Sequence, residues 1–378
     1  MVILRRRITH SVTSILNHLF HGSTNPAGLV LLLIVGLLSG CATSGVLQDG
    51  SPPEDASPEP GDARAPEQAD TTTEFQTGDV REINIPGTEV NFQLVFVSGG
   101  TYRVGTPDSE NGREEDEGPR VEVTLSDYWI GRFEVTDTEY SVFRYPERDA
   151  DTTAVAGVSY HVDAISRPSP PYEDPAFGLG GPRKPAVGMT QWGALHYARW
   201  LSQKTGIFFR LPTESEWETA CRAGSETAYF FGDDAAAIGD YAWLMDNSGN
   251  ELHNVGTKRS NAWDIHDMHG NVSEWMMDEY VADYHSRLAE SSDPDPWIGP
   301  TKLHPRTVRG GAYDDPSEAA RCGARLESTT NWKRRDPQIP KSFWWNTDSP
   351  FLGFRLLAPA NPPSEEAAAD FWTLVLGE

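Results

Sequence analysis

Basic residues are scarce in this 378-residue chain, which has 31 lysines and arginines against 56 acidic residues and a formal net charge of −25. A surface this acidic repels a phosphate backbone, and no basic stripe reverses that effect. Nucleic acid is therefore excluded as a partner class. The sequence also lacks zinc-protease, serine-hydrolase, phosphate-loop and kinase motifs, and its ten histidines form no cluster typical of an iron site. These absences leave the corresponding enzyme classes without support.

Long apolar runs are scarce too. One of them, Ala27–Leu38, follows Arg5, Arg6 and Arg7 in a segment without acidic residues. About a dozen apolar residues are too few to cross a bilayer as a helix, but they suit the core of a secretory signal. We therefore predict that residues 1–40 are a signal peptide that is removed.

Cysteine is rare, with three in the whole chain, and the first lies directly after the apolar run. The stretch Leu38-Ser39-Gly40-Cys41 resembles the bacterial lipobox, whose cysteine is acylated and becomes the new N-terminus. Two or more acyl chains anchor a protein stably to a membrane. We predict a lipoprotein facing the periplasm or the cell surface, and Ala42 favours the outer membrane. The alternative is an ordinary signal peptide in which Cys41 is incidental.

The next segment is polar and acidic. Residues 42–82 contain ten Asp or Glu and five Pro, with Phe75 as the only aromatic residue. Such a segment buries too little apolar surface to offset its ordering entropy. We predict a lipidated N-terminus and disordered linker over 41–82, a folded domain over 83–359, and a tail over 360–378 with one short amphipathic helix at Glu365–Leu376.

Within the folded part, short periodic segments alternate with Gly- and Pro-rich loops. Alternation and turn residues predict a first hairpin, in which the strand Asn91–Ser98 turns at Gly99-Gly100. Further strands are predicted at Val121–Leu125 and Tyr128–Val135. Capping residues and helical periodicity predict three helices, one starting at Thr136, one over Thr190–Lys204 and one starting at Thr213. With 34 Gly and 28 Pro, this pattern indicates an α+β fold with much irregular chain.

Six separated segments resemble one known family. They are VSGGTYRVGT at Val97–Thr106, FEVTDTEY at Phe133–Tyr140, FRLPTESEWETACRAG at Phe209–Gly224, NAWDIHDMHGNVSEW at Asn261–Trp275, VRGGAY at Val308–Tyr313 and GFRLL at Gly353–Leu357. In this order they are similar to the formylglycine-generating enzyme, or sulfatase-modifying factor, family. The resemblance implies an α+β, C-type-lectin-like fold that is loop-rich and often binds calcium. Active members oxidise a cysteine of a sulfatase peptide to formylglycine, using oxygen and a copper ion held by two thiolates.

The copper-binding cysteine pair of that family is absent here. Counting from Tyr313, its two positions hold Asp315 and Ala320, and Ala312 replaces the small serine of the family motif. Cys322 alone cannot supply two thiolates. We therefore expect no catalytic residue and no copper, and a binding or scaffold module is predicted. The alternatives are a cysteine-oxidising or related enzyme with a divergent site, and a structural part of an envelope assembly.

The two remaining cysteines match another feature of the family. Cys221 and Cys322 correspond to its structural disulfide pair. An exported protein with two cysteines left over after lipidation predicts the same bond.

The motif around Gly270 resembles the family's calcium site. It implies the side chains of Asn271 and Glu274 as ligands, with carbonyls such as those of Gly270 and Val272, and hard oxygen atoms suit calcium. The alternative is that Asn271 caps a helical turn with Glu274 three residues on. Asn247 lies where the family can place a second calcium loop, although the segment carrying its other ligands looks shortened.

Scattered tryptophans complete the set of candidate residues. They are either core residues or the lining of a groove for a peptide or glycan, and they comprise Trp192, Trp217, Trp243, Trp275, Trp344 and Trp345. Besides the membrane, an envelope protein is the remaining predicted partner.

Overall fold

A computed structural model describes residues 74–149, 167–169, 171 and 173–377 of the chain. The predicted signal peptide, Cys41 and most of the predicted linker lie outside these residues. The described strands are β1 (Val80–Asn84), β2 (Asn91–Val97), β3 (Gly100–Val104), β4 (Val121–Leu125), β5 (Tyr128–Gly131), β6 (Ser273–Glu279), β7 (Arg306–Arg309), β8 (Leu326–Glu327), β9 (Leu352–Gly353) and β10 (Leu357–Pro359). The α-helices are α1 (Asp137–Arg144), α2 (Gln191–Thr205), α3 (Glu214–Arg222), α4 (Tyr284–Glu290) and α5 (Glu365–Leu376).

The strands form three small sheets, ordered β1-β2-β5-β10, β3-β4 and β8-β7-β6-β9. Neighbouring strands are antiparallel except β6 and β9, which run parallel. The prediction of a hairpin at Gly99-Gly100 was wrong, because β2 and β3 belong to different sheets. The first hairpin instead joins β1 to β2, with Asn84 opposite Asn91. This mixture of short strands and helices is the predicted loop-rich α+β fold.

Local capping signals determine where the helices begin. At α1 and α3, Thr136 and Thr213 each accept a hydrogen bond from the third helical residue, whose glutamate side chain accepts one in return. Helix α2 begins after Thr190 and ends before Gly206, whose φ of 73° is in the left-handed region that favours glycine. All three helix starts agree with the sequence prediction.

Two large apolar clusters and one small one fill the described domain. The larger of the two large clusters surrounds α2 and is rich in aromatic side chains such as Phe143, Tyr197 and Trp200. The other large cluster packs α3 against β3, β4 and β5 and contains Trp217 and both remaining cysteines. Among the described helices, none is long and apolar enough to cross a membrane.

Both ends of the described domain are anchored by aromatic contacts. Phe75 lies 4.9 Å from the ring of Trp129, so packing begins before the predicted domain start at Ile83. At the other end, Phe371 and Trp372 of α5 lie 5.4 and 5.6 Å from Phe208. Aromatic rings bury large apolar areas, and the predicted tail is therefore part of the folded unit.

Candidate functional site

Three of the other segments that resemble the family contact helix α3, through Gly105, Asn261 and Arg309. Its three glutamates, Glu214, Glu216 and Glu218, are almost completely buried. Glu216 closes the capping box by accepting a 2.8 Å hydrogen bond from the backbone N–H of Thr213, and it pairs with Arg210 at 2.7 Å. The middle glutamate therefore fixes the start of the helix, and the outer two are free to reach deeper partners.

Those outer glutamates sit in a buried charge network. The guanidinium of Arg309 lies 3.0 Å from Glu214 and 3.2 Å from Glu218. Arg325 pairs with Glu214 at 2.7 Å, and Arg222 with Glu218 at 2.8 Å. Burial alone would raise the pKa of both carboxyl groups, but the arginines outweigh it and hold each pKa below its usual range. Each of these charged groups has a partner within the network. The network therefore stabilises the fold and does not bind a ligand.

Glu274, one predicted calcium ligand, is paired with an arginine. Its two oxygens accept hydrogen bonds from Arg355 at 2.6 and 2.7 Å, and Oε2 also accepts one from Trp217 at 2.9 Å. Both carboxylate oxygens are thus used, and a guanidinium, which repels a cation, already neutralises their charge.

Asn271, the other predicted side-chain ligand, is equally engaged. Its Oδ1 accepts a 3.0 Å hydrogen bond from the backbone N–H of His253, and its Nδ2 donates a 2.9 Å bond to Glu134. No helical turn follows, because residues from Ser273 onward form β6, so the capping alternative was wrong. These side chains do not fit a calcium site, because the oxygen atoms that would bind calcium already accept hydrogen bonds from protein groups.

The flanking residues have backbone roles. Gly270 has a φ of 78°, and a Cβ there would lie 2.2 Å from the carbonyl oxygen of Trp243. Val272 donates its backbone N–H to Glu134 at 3.3 Å. Asn247 holds its own turn, accepting from the N–H of Leu244 at 2.8 Å. These contacts shape the backbone of the loop.

Cys221 and Cys322 are joined by a disulfide with a Cα–Cα distance of 5.7 Å. The family's copper positions lie nearby but hold no sulfur. Asp315 accepts a 3.1 Å hydrogen bond from the backbone N–H of Ala312, closing the turn after Gly311. Ala320 is completely buried in a small apolar cluster. A carboxylate and a methyl group do not fit the soft copper(I) ion.

His269 lies against the disulfide. Its Nδ1 is 2.7 Å from the carbonyl oxygen of Ala320, which can only accept, and its Nε2 is 3.3 Å from the backbone N–H of Phe230, which can only donate. The ring is therefore neutral with the proton on Nδ1, and burial lowers its pKa to about 4. Potential ligand atoms of Cys221, His269 and Cys322 all lie within 4.8 Å of one another.

Sequence reasoning missed a buried acidic pair, Glu134 and Asp267. Burial raises the pKa of both groups, Asp267 raises that of Glu134 further, and Glu274 adds to the shift of both, while Arg355 opposes it. Asp267 Oδ1 has no hydrogen-bond partner among the described residues. Both residues lie in segments that resemble the family, Phe133–Tyr140 and Asn261–Trp275, but no local pattern shows that they come together.

Two cavities open near these elements. The larger, about 570 Å³, is bordered by β2, β5 and α1 and has Glu134 and Glu139 in its wall. The smaller, about 350 Å³, lies beside α2, β7 and α5. Of the predicted groove-lining tryptophans, Trp192 and Trp275 border the smaller cavity. The others are mainly packing residues: Trp217, Trp344 and Trp345 are buried, and Trp243 stacks on His253 at 3.7 Å.

Comparison with known proteins identifies the domain. The Sulfatase-modifying factor enzyme 1-like domain matches residues 84–337. The chain is 26% identical over 260 residues to the formylglycine-generating enzyme of Thermomonospora curvata, covering 60% of this chain and 84% of that protein.

Other relatives have different names. The serine/threonine-protein kinase Pkn1 of Chlamydia trachomatis is 26% identical over 249 residues, which cover 62% of this chain but only 35% of the kinase. The structure of PvdO from Pseudomonas aeruginosa superimposes with a TM-score of 0.56 and 28% identity, covering 76% of this chain and all of PvdO. These similarities establish the family of the domain. Its activity has to be inferred from the residues of the candidate site.

Proposed function

Since the chain belongs to the sulfatase-modifying factor enzyme 1-like family and its domain has no free thiol pair, we propose that it is a binding or scaffold module. It is not a copper-dependent oxidase in this proposal. The module belongs to an exported lipoprotein, and its partner is a peptide, a glycan or another envelope protein.

One observation carries this proposal. The domain contains two cysteines, and both are consumed by the Cys221–Cys322 disulfide. A copper(I) site of the family type needs two thiolates. With Asp315 and Ala320 at the family's positions, the domain offers none while that bond is intact.

The anchoring part of the proposal rests on the sequence around Cys41. The lipobox-like stretch before it supports lipidation, and Ala42 after it favours the outer membrane, with the domain facing the periplasm or cell surface. Replacement of Cys41 by serine should move the protein from the membrane fraction to the soluble fraction. Retention of Cys41→Ser in the membrane fraction would contradict lipid anchoring.

A second candidate function is a divergent oxidising enzyme. The observation that favours it is the group of Cys221, His269 and Cys322, whose ligand atoms lie within 4.8 Å of one another. If the disulfide were reduced, two thiolates and an imidazole would form a ligand set suited to copper(I).

Thiol counting separates the two candidates. The full chain carrying Cys41→Ser is alkylated with and without reductant and analysed by mass spectrometry, and copper(I) is then titrated. The binding-module proposal expects no alkylation without reductant, two alkylated cysteines after reduction, and no stoichiometric copper in the oxidised protein. A free Cys322 with one-to-one copper binding would instead favour the enzyme, and the Cys221→Ala/Cys322→Ala variant is the control for non-specific copper.

A further inference from the structure

The smaller cavity has a basic lining, although the chain as a whole is acidic. Its ionisable lining residues are all basic, namely Lys302, His304, Arg306 and Lys333. The chain as a whole carries a formal charge of −25. A concave basic surface on an acidic protein attracts anions to that place in particular.

Arg306 is the central feature of this cavity. It is only 8% exposed, and its Nε has no hydrogen-bond partner. No ion pair joins its guanidinium to any residue that the structure describes. The neighbouring strand places Glu279 opposite it, but Glu279 lies 3.4 Å from Lys302 and accepts a 2.6 Å hydrogen bond from Thr301. Glu279 and Asp278 attract the guanidinium electrostatically, but neither forms an ion pair with it. A buried guanidinium without an ion-pair partner is costly, and an anion from outside would neutralise its charge.

Other donors surround the same space. Helix α2 begins at the cavity with Gln191 and Trp192, and the first N–H groups of a helix carry partial positive charge. The hydroxyl of Ser328 accepts a 2.7 Å hydrogen bond from the backbone N–H of Arg306 and lies 2.8 Å from Nδ1 of His304. The cavity thus offers several donors to one acidic group.

The cavity rim is apolar. Leu303, Phe343 and Leu374 are 55%, 57% and 56% exposed, and all three border the opening together with Trp192. Large apolar side chains clustered at a concave site are typical of ligand contact. An inorganic anion would leave this rim unused.

We propose that this cavity binds an organic anion, in which a carboxylate or phosphate pairs with Arg306 and an aromatic or aliphatic portion contacts the apolar rim. The inference rests on the proposed binding function and deepens it by naming a ligand class. The thiol and copper measurements test whether the domain is a binding module or an oxidase. Their outcome is therefore independent of whether this cavity binds an anion.

Benzoate and phenyl phosphate are the probes, and benzyl alcohol is their neutral counterpart. Each is titrated into the full chain while tryptophan fluorescence is followed, because Trp192 and Trp275 border the cavity. The variants are Arg306→Met and, as a matched control, Arg103→Met, which changes an arginine whose side chain is 58% exposed. For ligands this small we expect a Kd of about 1 mM for the better anion.

Arg306→Met should weaken binding of the better anion at least about tenfold, the loss expected for one charge-assisted contact. Its melting temperature without ligand should stay equal to that of the wild type or rise, and Arg103→Met should bind normally. Stronger binding of benzoate indicates a carboxylate ligand, and stronger binding of phenyl phosphate a phosphate ligand. Unchanged binding by Arg306→Met, equal binding of benzyl alcohol, absence of saturable anion binding, or a large fall in melting temperature would overturn the proposal.

Discussion

The two arginines of strand β7 make a natural comparison. Arg306 and Arg309 occupy its ends and are 8% and 1% exposed. Arg309 contacts two carboxylates and the carbonyl oxygen of Cys322, whereas Arg306 makes no ion pair with any described residue. Two buried arginines of one short strand thus differ in whether the protein supplies their partners. Pairing, more than burial, separates the structural arginine from the one suited to an outside ligand.

Strand geometry accounts for the difference. Side chains alternate between the two faces of a strand, so Thr307 and Arg309 share one face. Thr307 donates a 2.7 Å hydrogen bond to Glu214, the carboxylate that also binds Arg309. Arg306 and Val308 share the other face, and Val308 belongs to the larger apolar cluster. One face meets the glutamates of α3, and the other meets apolar packing and the cavity.

The largest expected loss of stability comes from replacing Arg309, the arginine that is paired with two carboxylates. Arg309→Met should lower the free energy of unfolding by about 5 kcal/mol, the upper end for a broken buried pair, because Glu214 and Glu218 both lose a partner. Urea unfolding followed by circular dichroism measures the change, with Arg306→Met as the matched substitution on the same strand. Equal losses for the two variants would remove the distinction between the two ends.

The disulfide beside Arg309 should have the next largest effect. It closes a sequence separation of 101 residues. The Cys221→Ala/Cys322→Ala variant should lose about 4 kcal/mol, since the bond restricts the unfolded chain. Thermal and urea unfolding of this variant, compared with the wild type with and without reductant, give the value. A loss under about 1 kcal/mol would show that Arg309 and its carbonyl contacts hold this loop without the bond.

Glu139 is an acidic counterpart of Arg306. It is buried and hydrogen-bonded to Thr136, but it has no ion pair among the described residues. Burial raises its pKa to about 7, against the effect of the Thr136 hydrogen bonds. The folded state therefore keeps a proton that the unfolded chain loses, and this glutamate lowers the free energy of unfolding as pH rises from about 4.5 to 7.

Glu139→Gln should remove that dependence. We expect the variant and wild type to be equally stable near pH 4 and the variant to be more stable by about 3 kcal/mol near pH 8. Urea unfolding across this pH range measures the difference, with Glu122→Gln as an exposed control. A constant difference between variant and wild type at all pH values would mean that Glu139 does not titrate in this way.

The smallest effect is expected at the surface. Arg103 pairs with Glu122 at 3.3 Å and Glu226 at 3.2 Å, with all three side chains largely exposed. Solvent screens such pairs, so Arg103→Met should leave the midpoint of urea unfolding unchanged. A marked shift would show that pairing stabilises this fold even without burial.

Local signals made part of this fold predictable. The capping boxes at Thr136 and Thr213 involve residues three positions apart, and the helix Glu365–Leu376 was readable from its own periodicity. The change from one sheet to another at Gly99 was not predictable, because it depends on contacts with residues distant in the sequence. A Cβ at Gly99 would lie 2.8 Å from the carbonyl oxygen of Leu125.

The site was less predictable than the fold for the same reason. The resemblance gave the positions of Cys221 and Cys322, and the structure joins them. It gave no hint that Arg355 would take the oxygens of Glu274, a residue 81 positions away. Nor does the sequence of β7 tell which of its arginines meets the glutamates of α3. Which charged residues form ion pairs depends on tertiary packing, and local sequence patterns carry no information about it.

The first sheet joins the beginning of the domain to its end. Strand β10 completes that sheet by pairing with β5, with Leu357 opposite Ile130, and Leu357 also exchanges backbone hydrogen bonds with Arg210. During synthesis the chain emerges from its N-terminus, so these contacts cannot form until Leu357 has been made. The first sheet is therefore completed after the other described strands of the domain have been made. A premature stop codon before Leu357 would release a chain whose first sheet lacks its closing strand.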